Sequence, residues 1–187
     1  MLRLNGEERT LPELAFISLG SNIEPESNLP LATTQLRSLG TLVACSRVYQ
    51  NPAIAPEPQQ DYLNAAVLIE TELPPSDIRV RLREIETQLG RIRTADKYAP
   101  RTIDLDLSLY GDHQIQTSEL TLPDPDIGER PYLAKTLAEL RPQMVYPGSN
   151  LTLSQIAEAL LPGSQLTERH DVVLLKQVID HGEVADD

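Results

Sequence analysis

Tryptophan is absent from this chain, and its 187 residues hold one phenylalanine, Phe16, and one cysteine, Cys45. Aromatic residues are 4% of the total and hydrophobic residues 40%, so the core has to be built from Leu, Ile, Val and Ala. A single cysteine excludes an internal disulfide and a multi-thiol metal site. Flanked by Val43-Ala44 and Val48, Cys45 reads as a buried strand thiol. The three histidines, His113, His170 and His181, lack metal-ligand spacing and read as surface groups. Cations are also scarce: 16 Lys and Arg stand against 28 Asp and Glu, a net charge of −12. Nucleic-acid surfaces need a basic footprint, so no nucleic-acid partner is expected. No run approaches the roughly 18 apolar residues of a membrane span. Residues 1–13 lack the apolar core of a secretion signal. No membrane partner and a cytoplasmic location are therefore expected.

The length fits one ordinary domain with a real core. Residues 14–19 form a short apolar run ending at Gly20-Ser21-Asn22, a buried strand and a turn. Leu29, Ala32, Leu36 and Leu39 then fall at helical spacing, with Pro30 suited to a first turn and Gly40 to a stop. Residues 41–49 read as a second strand. Residues 51–60 carry three prolines and form a long loop, the kind that often has a functional role. Residues 62–73 read as a third strand. A helix follows, with Ser76 as N-cap, Ile78, Leu82, Ile85 and Leu89 on one face, and Gly90 closing it. After the loop 91–101 comes a strand over 102–110 and a turn at Gly111-Asp112. The order β-α-β-β-α-β predicts an α+β fold with a ferredoxin-like core: a mostly antiparallel sheet with helices on one face, and C-terminal additions. Those additions include helices at 132–140 and from Thr152, where Thr152 and Gln155 fit a capping box. The expected organisation is an N-terminal extension (1–13), one domain (14–162) and an acidic tail (163–187) whose apolar pieces, 172–175 and Val178-Ile179, add a strand or a helix.

The chemistry concentrates between Glu86 and Asp106. In residues 103–109, alternation places Ile103, Leu105, Leu107 and Leu109 on one face and Asp104 and Asp106 on the other. Two carboxylates side by side repel each other, and Mg²⁺, which takes carboxylates together with substrate phosphates, supplies the missing counter-charge. Taken alone, an Asp-x-Asp pair is also compatible with an ordinary solvated sheet face. The preceding loop changes the balance. Arg91, Arg93, Lys97 and Arg101 face a single anion, Asp96, so a basic loop is joined directly to an acidic strand. A metal-bound polyphosphate needs both.

Gly90-Arg91-x-Arg93 followed by Pro100-Arg101-Thr102-Ile103-Asp104-Leu105-Asp106 resembles the signature of the 6-hydroxymethyl-7,8-dihydropterin pyrophosphokinase family. Gly20-Ser21-Asn22, Ser46-x-x-Tyr49 and residues 61–67 match in order, and the similarity spans about residues 14–160. The resemblance implies ATP as co-substrate, a reduced pterin as acceptor, and two Mg²⁺ ions held by Asp104 and Asp106. It implies catalytic roles for Arg91, Arg93 and Arg101, with Arg93 and Arg101 on phosphates and Arg91 steadying the loop. It places Glu86, Tyr98, Leu107, Thr121 and Arg130 at the nucleotide, and Asn51, Pro52, Ile54, Tyr62, Asn64 and Tyr132 at the pterin, with Tyr62 and Tyr132 as two walls of a sandwich. Lys97 reads as solvated. A monomer is expected, with a homodimer open. Asp124 and Glu119 depart from the pattern: the family often has a histidine and a basic residue there. An acid at Asp124 should repel phosphate unless it is rotated away, protonated or metal-bound. That departure leaves a weakly active or inactive nucleotide- or pterin-binding homologue as the alternative.

Overall fold

A computed structural model describes residues 11–96 and 98–175. Lys97, residues 1–10, Val178-Ile179 and His181 lie outside the described residues. The chain runs through β1 (Glu13–Ser21), α1 (Pro25–Leu36), β2 (Thr41–Cys45), β3 (Tyr49–Asn51), β4 (Tyr62–Thr71), α2 (Pro75–Gln88), β5 (Asp104–Tyr110), β6 (Ile115–Gln116) and β7 (Thr121–Leu122). It continues with α3 (Pro131–Leu140), α4 (Leu153–Leu160) and β8 (Thr167–Glu168). The main sheet has the order β5-β1-β4-β3-β8, with β2 also on β4, and every pairing is antiparallel. This is the expected ferredoxin-like arrangement, and β6 and β7 form a separate two-stranded ribbon.

The two core helices lie on one face of the sheet, as expected, and the C-terminal additions α3 and α4 cover the other. Leu29, Ala32 and Leu36 of α1 and Ile78, Leu82 and Ile85 of α2 pack on Ile17, Leu105 and Leu107. On the opposite face, Leu133 and Leu137 of α3 and Leu153 and Ile156 of α4 pack on Phe16, Ala66, Leu68 and Leu109. Leu109 therefore does not share a face with Leu105 and Leu107. Ile17 pairs with Leu107 and Phe16 with Leu109, leaving Ser108 as the extra residue of a β-bulge that turns the rest of the strand over.

Other expectations shift for local reasons. The strand read over 41–49 is two strands on one edge of β4, because Ser46 interrupts the ladder. Its hydroxyl accepts the Ala66 N–H at 2.8 Å, where a backbone carbonyl would otherwise serve. Pro30 lies inside α1, which begins with Pro25 in its first turn. The helix forfeits the bond from residue 30 to Glu26, which its buried face outweighs. Ser76 is not the N-cap of α2; Pro74 is, with Pro75 at the first position. Gly20 and Ser21 belong to β1 rather than to a turn. Gly40 ends the first helical segment, and a Cβ there would meet the Glu70 carbonyl oxygen at 2.2 Å. The Thr152–Gln155 capping box is present, with both reciprocal bonds. Cys45 is half-buried in β2, and desolvation pushes its thiol up to about 11.

Candidate active site

Three neighbouring strands put small and polar side chains in register at one end of the sheet. Asp104 of β5 lies opposite Gly20 of β1, which lies opposite Asn64 of β4; Asp106 lies opposite Ser18. Alternation sets all of these, with Tyr62, on the face that carries α3. Asp104 and Asp106 thus do share a face. A Cβ at Gly20 would stand 3.1 Å from Asn64 Oδ1, so the close approach of the two strands' side chains depends on that glycine. The start of β5 is fixed to the end of β1: Asn22 Oδ1 accepts the Arg101 N–H at 2.7 Å, and Ser21 Oγ donates to the Thr102 carbonyl at 2.6 Å.

This floor opens into a cavity of about 320 Å³. Asp104, Asp106 and Arg101 line one side of it, and Asn51, Pro52, Ile54, Tyr62 and Asn64 another; Tyr98, Arg130 and Tyr132 complete the predicted residues present. The structure brings these eleven together. Asn64 Nδ2 donates to Asn51 Oδ1 at 2.6 Å, tying β4 to the loop that begins with Pro52. Tyr98 is half-exposed, and its carbonyl accepts from Gln59 Nε2 at 2.6 Å, so the loops 52–61 and 91–101 meet over the cavity.

The other predicted residues lie behind this wall or away from it. Leu107 points into the α1/α2 core. Thr121 sits in β7, outside the lining. Glu86 is not an exposed helix residue: it is 1% exposed, and α2 presents it to the back of β5. Its Oε1 accepts the Leu105 N–H at 2.9 Å and Arg91 Nη1 at 2.5 Å, and its Oε2 pairs with Arg93. Arg91, itself nearly buried, also reaches Asp104 and the Ile103 carbonyl, the latter at 3.1 Å. Arg101 pairs with the other oxygen of Asp104. A buried acid with its oxygens committed to backbone and guanidinium groups organises the arginines, and it does not line the cavity.

Asp106, unlike Asp104, makes no ion pair among the described residues. Desolvation, then Asp104, Asp124 and Glu86, push its carboxyl up to about 7 against the pull of Arg91. Protein atoms crowd the carboxylate from below while its side chain remains open to water in the cavity, and that water softens the burial contribution. Asp124 is raised in the same direction, chiefly by burial. Its carboxylate accepts the Asp126 N–H at 2.9 Å and caps a short 3₁₀ turn over Pro125–Gly128. The replacement at this position therefore has a structural occupation. Glu119 is exposed, in the hairpin between β6 and β7.

Several lining residues were not singled out from sequence: Ser18, Gln59, Asp126 and Thr136. Ser18 follows from alternation with Gly20, and Thr136 from helical spacing one turn beyond Tyr132. Gln59 carried no signal beyond its loop.

An all-antiparallel sheet in this strand order, with acids and an aromatic recess at one end, defines a ferredoxin-like α+β domain with a small-molecule cavity. The solved Plasmodium falciparum HPPK-DHPS with pterin and p-hydroxybenzoate shares the fold, with a TM-score of 0.63 at 14% identity. The match covers 81% of this chain and 44% of that longer one. A family model described as 7,8-dihydro-6-hydroxymethylpterin-pyrophosphokinase matches residues 16–142. A Synechocystis protein named 2-amino-4-hydroxy-6-hydroxymethyldihydropteridine pyrophosphokinase is 40% identical over 147 residues, covering 77% of this chain and 74% of its own. A Haemophilus influenzae protein of the same name is 37% identical over 140 residues, covering 73% and 87%. The chain belongs to the 7,8-dihydro-6-hydroxymethylpterin-pyrophosphokinase family.

Proposed function

We propose that this protein transfers pyrophosphate from ATP to 6-hydroxymethyl-7,8-dihydropterin, giving AMP and the pterin diphosphate in folate biosynthesis. One observation carries the reading: in a chain of this family, the carboxylate pair, Arg101 and the Tyr62–Asn64–Tyr132 recess line the same cavity. The hydroxymethyl oxygen attacks the β-phosphorus in line, the bond to the oxygen bridging the α- and β-phosphates breaks, and AMP leaves with that oxygen. The hydroxyl proton passes to water. No covalent enzyme intermediate is needed, so the chain's task is to position groups and offset charge.

The residues fit a hard divalent cation. Asp104 and Asp106 supply oxygen donors on one face, and the Asp106 carboxyl, raised first by desolvation and then by the neighbouring acids, is one whose ionised form a cation would stabilise. These two aspartates would hold two Mg²⁺ ions, which when bound screen the polyphosphate oxygens. Arg101 and Arg93, paired to Asp104 and Glu86, are the phosphate contacts, and Arg91 keeps the loop against β5. Arg130, at the N-cap of α3, and Tyr98 flank the nucleotide. Tyr62 and Tyr132 stack on the pterin faces, while Asn64 and Asn51 read its polar edge, helped by Pro52 and Ile54. No helix among the described residues is long and apolar enough to cross a membrane; a cytoplasmic monomer completes the reading.

The test is direct. Protein, Mg²⁺, ATP and hydroxymethyl-dihydropterin should yield AMP and the pterin diphosphate in equal amounts. ADP in place of AMP, or nucleotide binding without turnover, overturns it.

A further inference from the structure

Beyond Gly163 the chain returns to the sheet at a place that bears on the cavity. Glu168 and Thr167 of β8 pair with Tyr49 and Gln50 of β3, and the Arg169 N–H donates to the Val48 carbonyl at 2.8 Å. Val172 and Leu174 are buried in the α1/α2 core, so this stretch is anchored on both sides of Arg169.

The Arg169 guanidinium is held in one orientation. Its Nε and Nη2 donate to the two oxygens of Asp171, each at 2.8 Å, and Nη2 also reaches Glu26 of α1 at 3.2 Å. The remaining nitrogen, Nη1, donates to Gln50 Oε1 at 2.9 Å. That bond fixes the Gln50 amide, whose Nε2 donates to Asp61 Oδ2 at 2.7 Å. Gln50 lies in β3, two residues before the loop 52–61, and Asp61 is the last residue of that loop. They flank the residue pair Asn51 opposite Tyr62, both of which line the cavity.

We propose that Arg169 is a positioning residue for pterin binding: through Gln50 it clasps the base of the loop 52–61 and so sets Asn51 and Tyr62 at the cavity wall. The proposal rests on the assignment of that wall to the pterin. Arg169 itself does not line the cavity, so its effect travels through the Gln50 amide. A guanidinium with fixed donors holds a neighbouring amide in one sense; a lysine offers Gln50 only a rotatable ammonium on a flexible stem. The loop is otherwise tied mainly by Gln59, near its far end.

The experiment compares wild type with Arg169→Ala, Arg169→Lys and Gln50→Ala, the last leaving β8 and its ion pairs intact. Arg169→Ala and Gln50→Ala should each raise KM for the pterin on the order of fivefold, with kcat and KM for ATP within about twofold of wild type. Arg169→Lys should recover part of the loss. The double variant Arg169→Ala/Gln50→Ala should be no worse than either single one, as expected of two links in one chain of contacts. Amide hydrogen exchange over residues 53–60 should quicken in both single variants, a readout independent of turnover. Unchanged exchange in that loop, or an equal loss in both substrates' KM, overturns the proposal. A wild-type protein that makes no AMP overturns the functional assignment instead, while the exchange data still decide whether Arg169 clasps the loop.

Discussion

Arg91 shares a single guanidinium nitrogen between Glu86 of α2 and Asp104 of β5. A cation in that position neutralises two acids at once and seals the helix to the strand that carries the candidate metal ligands. Arg101 holds the second oxygen of Asp104, so two arginines balance one aspartate, while Asp106 makes no ion pair among the described residues. Under the proposed function, a phosphate or cation arriving here exchanges partners within a charge cluster that is already assembled.

Removing either strand acid should remove turnover without unfolding the chain. Asp104→Ala and Asp106→Ala are each expected to lower kcat by about a thousandfold or more, because each deletes a donor to the ions that offset the polyphosphate charge. Single-turnover kinetics together with circular dichroism check this. Near-normal rates in both variants would remove the metal assignment.

The strained position of Asp106 predicts opposite effects on stability and on activity. Its carboxyl is raised from 3.8 to about 7, so between those values the native state binds more protons than the unfolded state. Stability from this group is greatest at low pH and falls as pH rises toward 7. Asp106→Asn should accordingly raise the Tm of the ligand-free protein at pH 8 by a few degrees, on the order of 1 kcal/mol after allowance for screening by cavity water. It should also flatten the decline of stability with pH. Because the cation must displace the proton, Mg²⁺ affinity should weaken as pH drops through 7. Calorimetry across pH 5.5–8.5, a range of about three units around that value, reads both effects.

Glu86 is the acid whose loss should destabilise. Glu86→Ala leaves Arg91 nearly buried with one partner fewer and the Leu105 N–H unpaired, a cost of about 3 kcal/mol. Glu86→Gln keeps the shape and one acceptor and should lose less. Denaturant unfolding distinguishes the two variants. Equal, negligible losses would mean the Glu86 network contributes little.

How much of this was legible depended on whether a signal was local. Periodicity placed both sheet-spanning helices and the acid strand, and the Thr152 box was readable because its two bonds lie within four residues. Pro30 misled, since an internal proline and a first-turn proline look alike until packing of Leu29 and Leu36 decides where the helix begins. Ser46 and Ser108 misled for a related reason. A hydroxyl that substitutes for a ladder carbonyl, and an extra residue in a strand, both depend on the partner strand's register, which a single sequence does not display. Glu86 has the sequence context of a solvated helix residue; its burial arises from three groups 5 to 19 positions away.

Gly20 gives the sharpest steric prediction. Gly20→Ala adds a methyl group 3.1 Å from Asn64 Oδ1 on a strand whose backbone has no reason to move. Asn64 should rotate off Asn51, raising KM for the pterin about tenfold with a smaller effect on the ATP constant. Steady-state kinetics with each substrate varied separately will show it; equal changes in both would instead indicate damage to β1.

The surplus residue in β5 has a wider meaning. Up to Leu107 the strand beats in one phase, acids toward the cavity and leucines toward α1 and α2; after Ser108 the beat is inverted, and Leu109 becomes a peg beneath α3. One short strand thereby addresses two hydrophobic layers without surrendering a polar end. Variation under α3 and α4 can proceed in the second half while the first half keeps its acids aimed, which leaves the two ends of a single strand free to diverge independently.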